Sequence, residues 1–548
     1  MHAARITLLT LVFIAVSSPI ALPVNRTKAS LSPSSAAVAG GGWSTSGPRI
    51  LTPTGNEYII AGANWFGAET RNFAPHGMWS RDYKFLLDQF KSLGFNTIRL
   101  PYSDENWRTN PKVSKNIVGA CPECQGKRTR DVLALIVNYA GAIGLHIIMD
   151  NHRSSSGSNT ESATWYTSTF PEQVWFEDWL SILRWSHGIP QTFGAPDTIT
   201  ANYLASDGSP TIIGFDLRNE PHTDCSRRGC DYLGGATWGA GDGIDPTVNP
   251  NPNPFTPSCV ATSTCHDWRL AAERCADTIL GEALNNGWDY PLIFVEGVQA
   301  FPIDGGTHSS GPYEFTNWGG NLIGVNGTSL TPGAPIVLNA GGNATSLGPP
   351  VNNKLVYSVH DYGPMIDNNP NWFNSGTCYR DGCNPNRLSS LAGRWRYIWA
   401  YVNFAGGINP AWPGHAAYPW ANTGHTGYSQ APLHIGEFGT GNEDTDLFNT
   451  TPGTDGQWFT GIVNFIASSY NRTAANDPGY ALTSVHWTYW AYNANSGGSE
   501  ILGAGWNTVG NPKKVFTFLC SIEKPPFALP FGTGSGQCGS TGPLPNPF

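Results

Sequence analysis

Two glutamates stand directly after short apolar runs. Glu220 closes Gly-Phe-Asp-Leu-Arg-Asn-Glu and Glu437 closes Leu-His-Ile-Gly-Glu. A carboxylic acid paired with a carboxylate can break an acetal: one protonates the leaving oxygen while the other attacks or activates water. One carboxyl must then keep a proton near neutral pH and the other must stay ionised. A single glutamate after a strand is ordinarily a cap or an ion-pair partner. Six further residues shift that reading. Arg99 in Asn-Thr-Ile-Arg-Leu-Pro, His152 in Met-Asp-Asn-His-Arg, Asn219 beside Glu220, His360 and Tyr362 in Ser-Val-His-Asp-Tyr-Gly, and Trp490 in His-Trp-Thr-Tyr-Trp all lie at or just past apolar runs. Charges and imidazoles at so many run ends are costly unless they converge on one solvated pocket.

The elements that position them alternate. Candidate strands are Tyr58–Ala61, Thr97–Leu100, His146–Met149, Ile212–Leu217, Leu292–Val295, Leu355–Val359, Leu433–Ile435 and Ser484–Trp487. Apolar spacing predicts helices over Arg81–Leu93, Arg130–Ile143, Gln173–Ser186, Asp267–Leu284, Leu388–Phe404 and Trp458–Tyr470. Eight strands alternating with helices predict an α/β fold, a single (β/α)8 TIM barrel over residues 43–519. An open doubly wound sheet is the alternative, but no G-x-G-x-x-G follows the first strand. Long insertions at 223–264, 299–350 and 361–386 follow strands four, five and six, and so belong on the C-terminal face where barrels build their chemistry.

At these residues the chain resembles glycoside hydrolase family 5, within the clan of retaining barrel glycosidases that place Asn-Glu-Pro after strand four. The likeness is greatest to its bacterial-type endo-β-1,4-glucanases. It spans roughly residues 43–515, through Gly62–Gly67, Met78–Tyr83, Gly94–Asp104, Gly214–His222, Asp267–Arg274, Ile293–Gln299 and Trp487–Asn493. The resemblance implies a secreted cellulase acting by double displacement on cellulose or a related β-glucan. Glu220 would be general acid and then base, and Glu437 the nucleophile. Asn219 would bond the sugar 2-hydroxyl, Arg99 would keep Glu437 ionised and Tyr362 would hold its pose. His360 would neighbour Glu220, His152 would bind a sugar hydroxyl, and Trp490 would floor the reacting sugar. Trp65 and Trp318 would be more distant stacking platforms. The resemblance implies carboxyls about 5–5.5 Å apart rather than the 6.5–9.5 Å of inverting enzymes. It implies no metal and no organic cofactor. In the bacterial enzymes a cysteine near Thr70–Asn72 pairs with one after strand three. Arg71 and the Ser-rich loop at Arg153–Ser158 stand there instead, while Cys225 and Cys230 match a short pair. The same two carboxylates serve mannanases and xyloglucanases, and a non-catalytic polysaccharide-binding barrel is a third reading.

Composition agrees with a sugar ligand. Charged residues are 13% of the 548, against about 25% in ordinary proteins, and there are 21 Trp, whose faces stack on sugar C–H surfaces. The 64 Gly and 42 Pro make the chain loop-rich. Net charge is −9 with no basic run, which argues against nucleic acid or an anionic membrane surface as partner. A monomer is expected. Residues 1–21 read as a signal peptide, with Arg5 before the apolar run Ile6–Val16 and small residues near Ala21. Residues 22–42 form a low-complexity segment and 520–548 a tail. Eleven cysteines suit an oxidising compartment. Cys121/Cys124, Cys225/Cys230, Cys259/Cys265, Cys378/Cys383 and Cys520/Cys538 are candidate pairs, leaving Cys275 as a buried thiol. No second C-x-x-C supports zinc. Sequons at Asn25, Asn326, Asn343, Asn449 and Asn471 would accept glycans in a eukaryotic host.

Overall fold

The computed structural model describes residues 42–157, 162–226, 229–231, 234–240, 265–307, 311–327, 333–341, 351, 353–366, 391–403, 430–441, 447, 449, 453–470, 484–512, 514–519 and 522. Eight parallel strands close into a barrel. They are β1 (Ala61–Asn64), β2 (Thr97–Ser103), β3 (His146–Arg153), β4 (Ile212–Asp216), β5 (Leu292–Glu296), β6 (Leu355–His360), β7 (Leu433–Glu437) and β8 (His486–Tyr489). Each pairs with its sequence neighbours, and β8 closes on β1 through Trp487 opposite Ala61. Almost every strand residue is buried, as a parallel sheet covered by helices requires. The chain is a (β/α)8 barrel.

Among the described residues, six helices of eight residues or more pack outside: α1 (Tyr83–Ser92), α2 (Thr129–Ala142), α3 (Glu172–Ser186), α4 (Trp268–Asn286), α5 (Leu391–Ile398) and α6 (Asp455–Tyr470). Their ends follow local chemistry. Asp82 caps α1 by accepting from the Lys84 N–H, and Asp267 caps α4 from the Leu270 N–H. Gly287, at φ 67°, ends α4 in the left-handed conformation that costs glycine little. The helix expected over 388–404 is shorter: α5 stops at Ile398, and a 3₁₀ turn, Ala400–Asn403, follows.

The first strand lies three residues later than expected. Glu57–Tyr58 instead pairs with Arg49–Leu51, which pairs with Ser44–Ser46, making a small antiparallel sheet. That sheet plugs the N-terminal end of the barrel. Trp43 and Ile50 pack with Ile60, Ile148, Ile213, Leu292, Phe294 and Val356, and the Trp43 indole donates to the Pro210 carbonyl at 3.1 Å. The last strand is shifted by two residues for a similar reason: His486 and Thr488 carry no apolar signal, yet both are buried.

The insertion after β5 forms a hairpin, Ala300–Thr307 with Gly311–Phe315, and the one after β4 opens with a short hairpin that sets Cys225 opposite Cys230. Most of the rest of the β4 and β6 insertions lies outside the described residues, as do the Cys378/Cys383 and Cys520/Cys538 pairs. Cys121 and Cys124 are bonded, and Cys275 is free and buried. Cys265 is disulfide-bonded, and its expected partner Cys259 lies outside the described residues.

Candidate active site

The C-terminal ends of β3, β4, β6, β7 and β8, with Arg99 from within β2, which runs on to Ser103, bring all eight of these residues to one mouth. Arg99 on β2 is the hub and is wholly buried. Its guanidinium donates to Asp216 at 2.9 Å, Glu296 at 3.0 Å and Glu437 at 2.7 Å, and lies 3.0 Å from Asp150. It also donates to the side-chain oxygens of Asn64 at 3.0 Å and Asn219 at 2.9 Å. Five donors in a fixed fork suit this; a lysine could not reach so many acceptors. The contact with Asn219 sets which end of that amide is acceptor and so orients its nitrogen.

Glu220 follows β4 with φ at 51°, in the left-handed region that strains a non-glycine residue. Its backbone N–H donates to Glu296 Oε2 at 2.8 Å. Its side chain is 17% exposed and faces the cleft, while Glu437 is 5% exposed. His360 Nδ1 lies 2.9 Å from Glu220 Oε1 and 3.8 Å from Glu437 Oε2, and its Nε2 is 3.1 Å from Glu296. Tyr362 donates to Glu437 Oε2 at 2.7 Å. Oxygens of Glu220 and Glu437 come within 4.8 Å of one another.

These groups titrate together. Burial pushes Glu437 up, to about 8, against the pull of His360 and Arg99. Burial also acts upward on Glu220, but the hydrogen bond and charge of His360, with His152 and His222, draw it below the usual carboxylate range. Burial opposes a charged His360, yet Glu296, Glu437 and Glu220 outweigh it and hold the imidazole protonated. Glu437 therefore holds its proton more tightly than Glu220 does. Hydrogen bonding works against that order. Each Glu437 oxygen faces a donor, Arg99 or Tyr362, so its ionised form is the solvated one. Once Glu437 has lost its proton, one remains on the 2.9 Å line between His360 Nδ1 and Glu220, and a short transfer along it would place that proton on Glu220.

The aromatic residues divide. Trp490 is half-buried, and its ring lies nearly parallel to those of His152 (5.4 Å, 11°) and Phe66 (5.3 Å, 11°), which fixes its plane at the mouth. His152 is held from behind by Asp150 at 2.7 Å. Trp318 stacks on His222 at 3.9 Å and keeps part of its face exposed. Trp65 is not a platform: it is fully buried, donates to the His76 carbonyl at 2.9 Å and packs edge-on to Tyr492. Tryptophans 107, 165, 175, 179, 185, 238, 268, 395 and 399 are buried as well. Most of the tryptophans among the described residues are therefore buried rather than free to line a sugar cleft.

Glu220, His360 and Glu437 lie close enough together to offer three ligands to a cation. Their oxygens and nitrogen are engaged by Arg99, Tyr362 and one another, which is the donor set of a proton-transfer site. Sequence reading missed Asp150, Asp216, Glu296 and Asn64. Glu296 had a usable signal, since Leu-Ile-Phe-Val-Glu ends an apolar strand as Glu437 does.

Residues 51–496 match the model of the family "Cellulase (glycosyl hydrolase family 5)". An endoglucanase of Paenibacillus polymyxa is 30% identical over 491 residues, 89% of each chain. Endoglucanase G of Acetivibrio thermocellus is 28% identical, over 84% of this chain and 68% of that one. Among solved structures, a hyperthermophilic endocellulase of the archaeon Pyrococcus horikoshii matches with a TM-score of 0.59 and 26% identity, over 89% of this chain and all of that one. The chain belongs to the cellulase family, glycosyl hydrolase family 5, and is a glycoside hydrolase.

Proposed function

We propose that this glycoside hydrolase cleaves internal β-1,4-glucosidic bonds of cellulose or a related β-glucan, with retention of configuration, by two displacements. The observation that carries the reading is the facing pair, Glu220 and Glu437, with oxygens within 4.8 Å and different partners on each. That spacing supports the shorter carboxyl separation of retaining enzymes over the longer one of inverting enzymes. Glu437, ionised between Arg99 and Tyr362, attacks the anomeric carbon while Glu220 protonates the leaving oxygen. Forming the ester removes the Glu437 charge, which lowers the pKa of Glu220 as it must become a base. Glu220 then takes a proton from water, and that water displaces Glu437. Asn219, oriented by Arg99, contacts the sugar 2-hydroxyl, His152 binds another hydroxyl, Trp490 floors the ring, and Trp318 stacks a more distant sugar.

The named endoglucanase and endocellulase relatives support the β-glucan substrate. A relative from Xanthomonas campestris is named a major extracellular endoglucanase, which supports secretion with residues 1–21 as the signal peptide. Product analysis on carboxymethylcellulose, mixed β-glucan, glucomannan, xyloglucan and xylan tests the substrate. Falling viscosity and short cello-oligosaccharides from the first two are expected. Turnover confined to glucomannan or xyloglucan would overturn the substrate, and no turnover on any would overturn the enzyme reading.

A further inference from the structure

Glu296 ends β5, is wholly buried and makes no approach to the cleft that would let it touch substrate. Yet it joins three parts of the site. Oε1 accepts from Arg99 at 3.0 Å and lies 3.1 Å from His360 Nε2, while Oε2 accepts from the Glu220 backbone N–H at 2.8 Å. Both oxygens therefore face donors. We propose that Glu296 is a positioning residue for the acid/base step: it holds Glu220 in its left-handed turn and keeps the His360 ring proton on Nε2, so that Nδ1 is the atom that exchanges a proton with Glu220. This inference rests on the roles given above to Glu220 and Glu437.

A left-handed glutamate needs its surroundings to over-determine it. The 2.8 Å bond from its N–H to a carboxylate that is itself pinned by Arg99 supplies this. Glu296 acts on His360 by charge: its Oε1, 3.1 Å from Nε2, attracts a proton to that nitrogen without an aligned hydrogen bond and leaves Nδ1 for the reaction. The proton count closes: Glu220 gives one proton to the leaving oxygen and regains one from the attacking water. Burial raises Glu296 itself to about 7, against His360 and Arg99, so it shares in the titration of the cluster. The charged groups around it are Arg99 from β2, Asp150 from β3, Asp216 from β4, Glu220 after β4, His360 from β6 and Glu437 from β7. Gly319 lies against it: a Cβ at that position would run into Glu296 Oε2.

Two variants and two substrates test the proposal. Glu296→Gln must turn its NH2 toward a donor at one end and removes one negative charge. Gly319→Ala, at a left-handed φ of 69° that strains any side chain, crowds the carboxylate and touches the Glu220 Cα, and keeps the charge. Cellotetraose needs its leaving oxygen protonated, whereas 2,4-dinitrophenyl β-cellobioside does not. In Glu296→Gln, kcat/KM on cellotetraose should fall about 100-fold, while the aryl substrate changes by no more than about threefold. Its alkaline limb should move to lower pH, because a less negative cluster holds its last proton less tightly. Gly319→Ala should show the same leaving-group dependence with the limb unmoved, and it carries the test if Glu296→Gln does not fold. Equal losses on both substrates, or no loss, in the folded variants would overturn the inference alone. A wild-type chain inactive on both substrates would overturn the functional reading and the inference with it.

Discussion

At the scale of single residues, the site is an arginine shared among four buried carboxylates, with one imidazole deciding where a proton sits. Tyr362 bears on Glu437, the proposed nucleophile, from the other side. Its hydroxyl stabilises ionised Glu437, and that ionisation forms the acidic limb of kcat/KM. Burial holds Glu437 above the ordinary carboxylate range and Tyr362 pulls it back down. Removing the hydroxyl therefore raises it further. In Tyr362→Phe the acidic limb should move to higher pH, and kcat should fall roughly tenfold to a hundredfold, the worth of a hydrogen bond to a charged group. A pH–rate profile checks both. Of this site, the residues that face the cleft were legible in the sequence, because polar side chains after apolar runs are conspicuous. Those behind them were less so. Asp150 and Asp216 lie inside runs that read as core, and what keeps them there is Arg99, a partner no local pattern reveals.

At the scale of elements, β2 to β7 announce themselves by bulky apolar side chains, and their expected and observed ranges overlap closely. β1 does not. Ala61, Gly62 and Ala63 are small because β1 lies tight against β2: a Cβ on Gly62 would strike the Thr97 carbonyl oxygen. Hydrophobic period thus selected the bulkier neighbour Tyr58, which belongs to the plug. Gly62→Ala must part the two strands or bend one, and overpacking of that kind costs about 3 kcal/mol. Urea unfolding should show the loss. Arg99 stands two residues beyond the Gly62 pairing partner, so activity should drop in the folded variant as well. An Ala variant as stable and active as the parent would show that the strands have room.

At the scale of the whole molecule, the two ends of the barrel have separate tasks. The chemistry sits at the C-terminal mouth, and the N-terminal end is stoppered by Trp43 and the small sheet that follows it. Trp43→Ala leaves a hole where a buried indole was, which costs about 3–5 kcal/mol. Because the plug touches none of the strand-end residues, kcat at low temperature should change by less than about twofold, within the scatter of a distant site. Calorimetry with an assay on the same sample checks the separation. A large loss of kcat without loss of stability would contradict it. Composition misled at this scale. The abundant tryptophan suggested a sugar-lined cleft, but among the described residues most of it is buried, and of the three named only Trp490 and Trp318 are part-exposed.

The central claim is that Glu437 attacks and Glu220 moves protons, and the proton order before substrate binds makes a direct test worthwhile. Each glutamate is replaced by glycine and given azide with 2,4-dinitrophenyl β-cellobioside, and the anomeric configuration of the cellobiosyl azide is read by NMR. Glu437→Gly should yield the α-azide, by one displacement in place of the lost nucleophile. Glu220→Gly should yield the β-azide, by azide attack on the glycosyl-enzyme. The opposite pairing of variant and anomer would contradict the assignment of both residues.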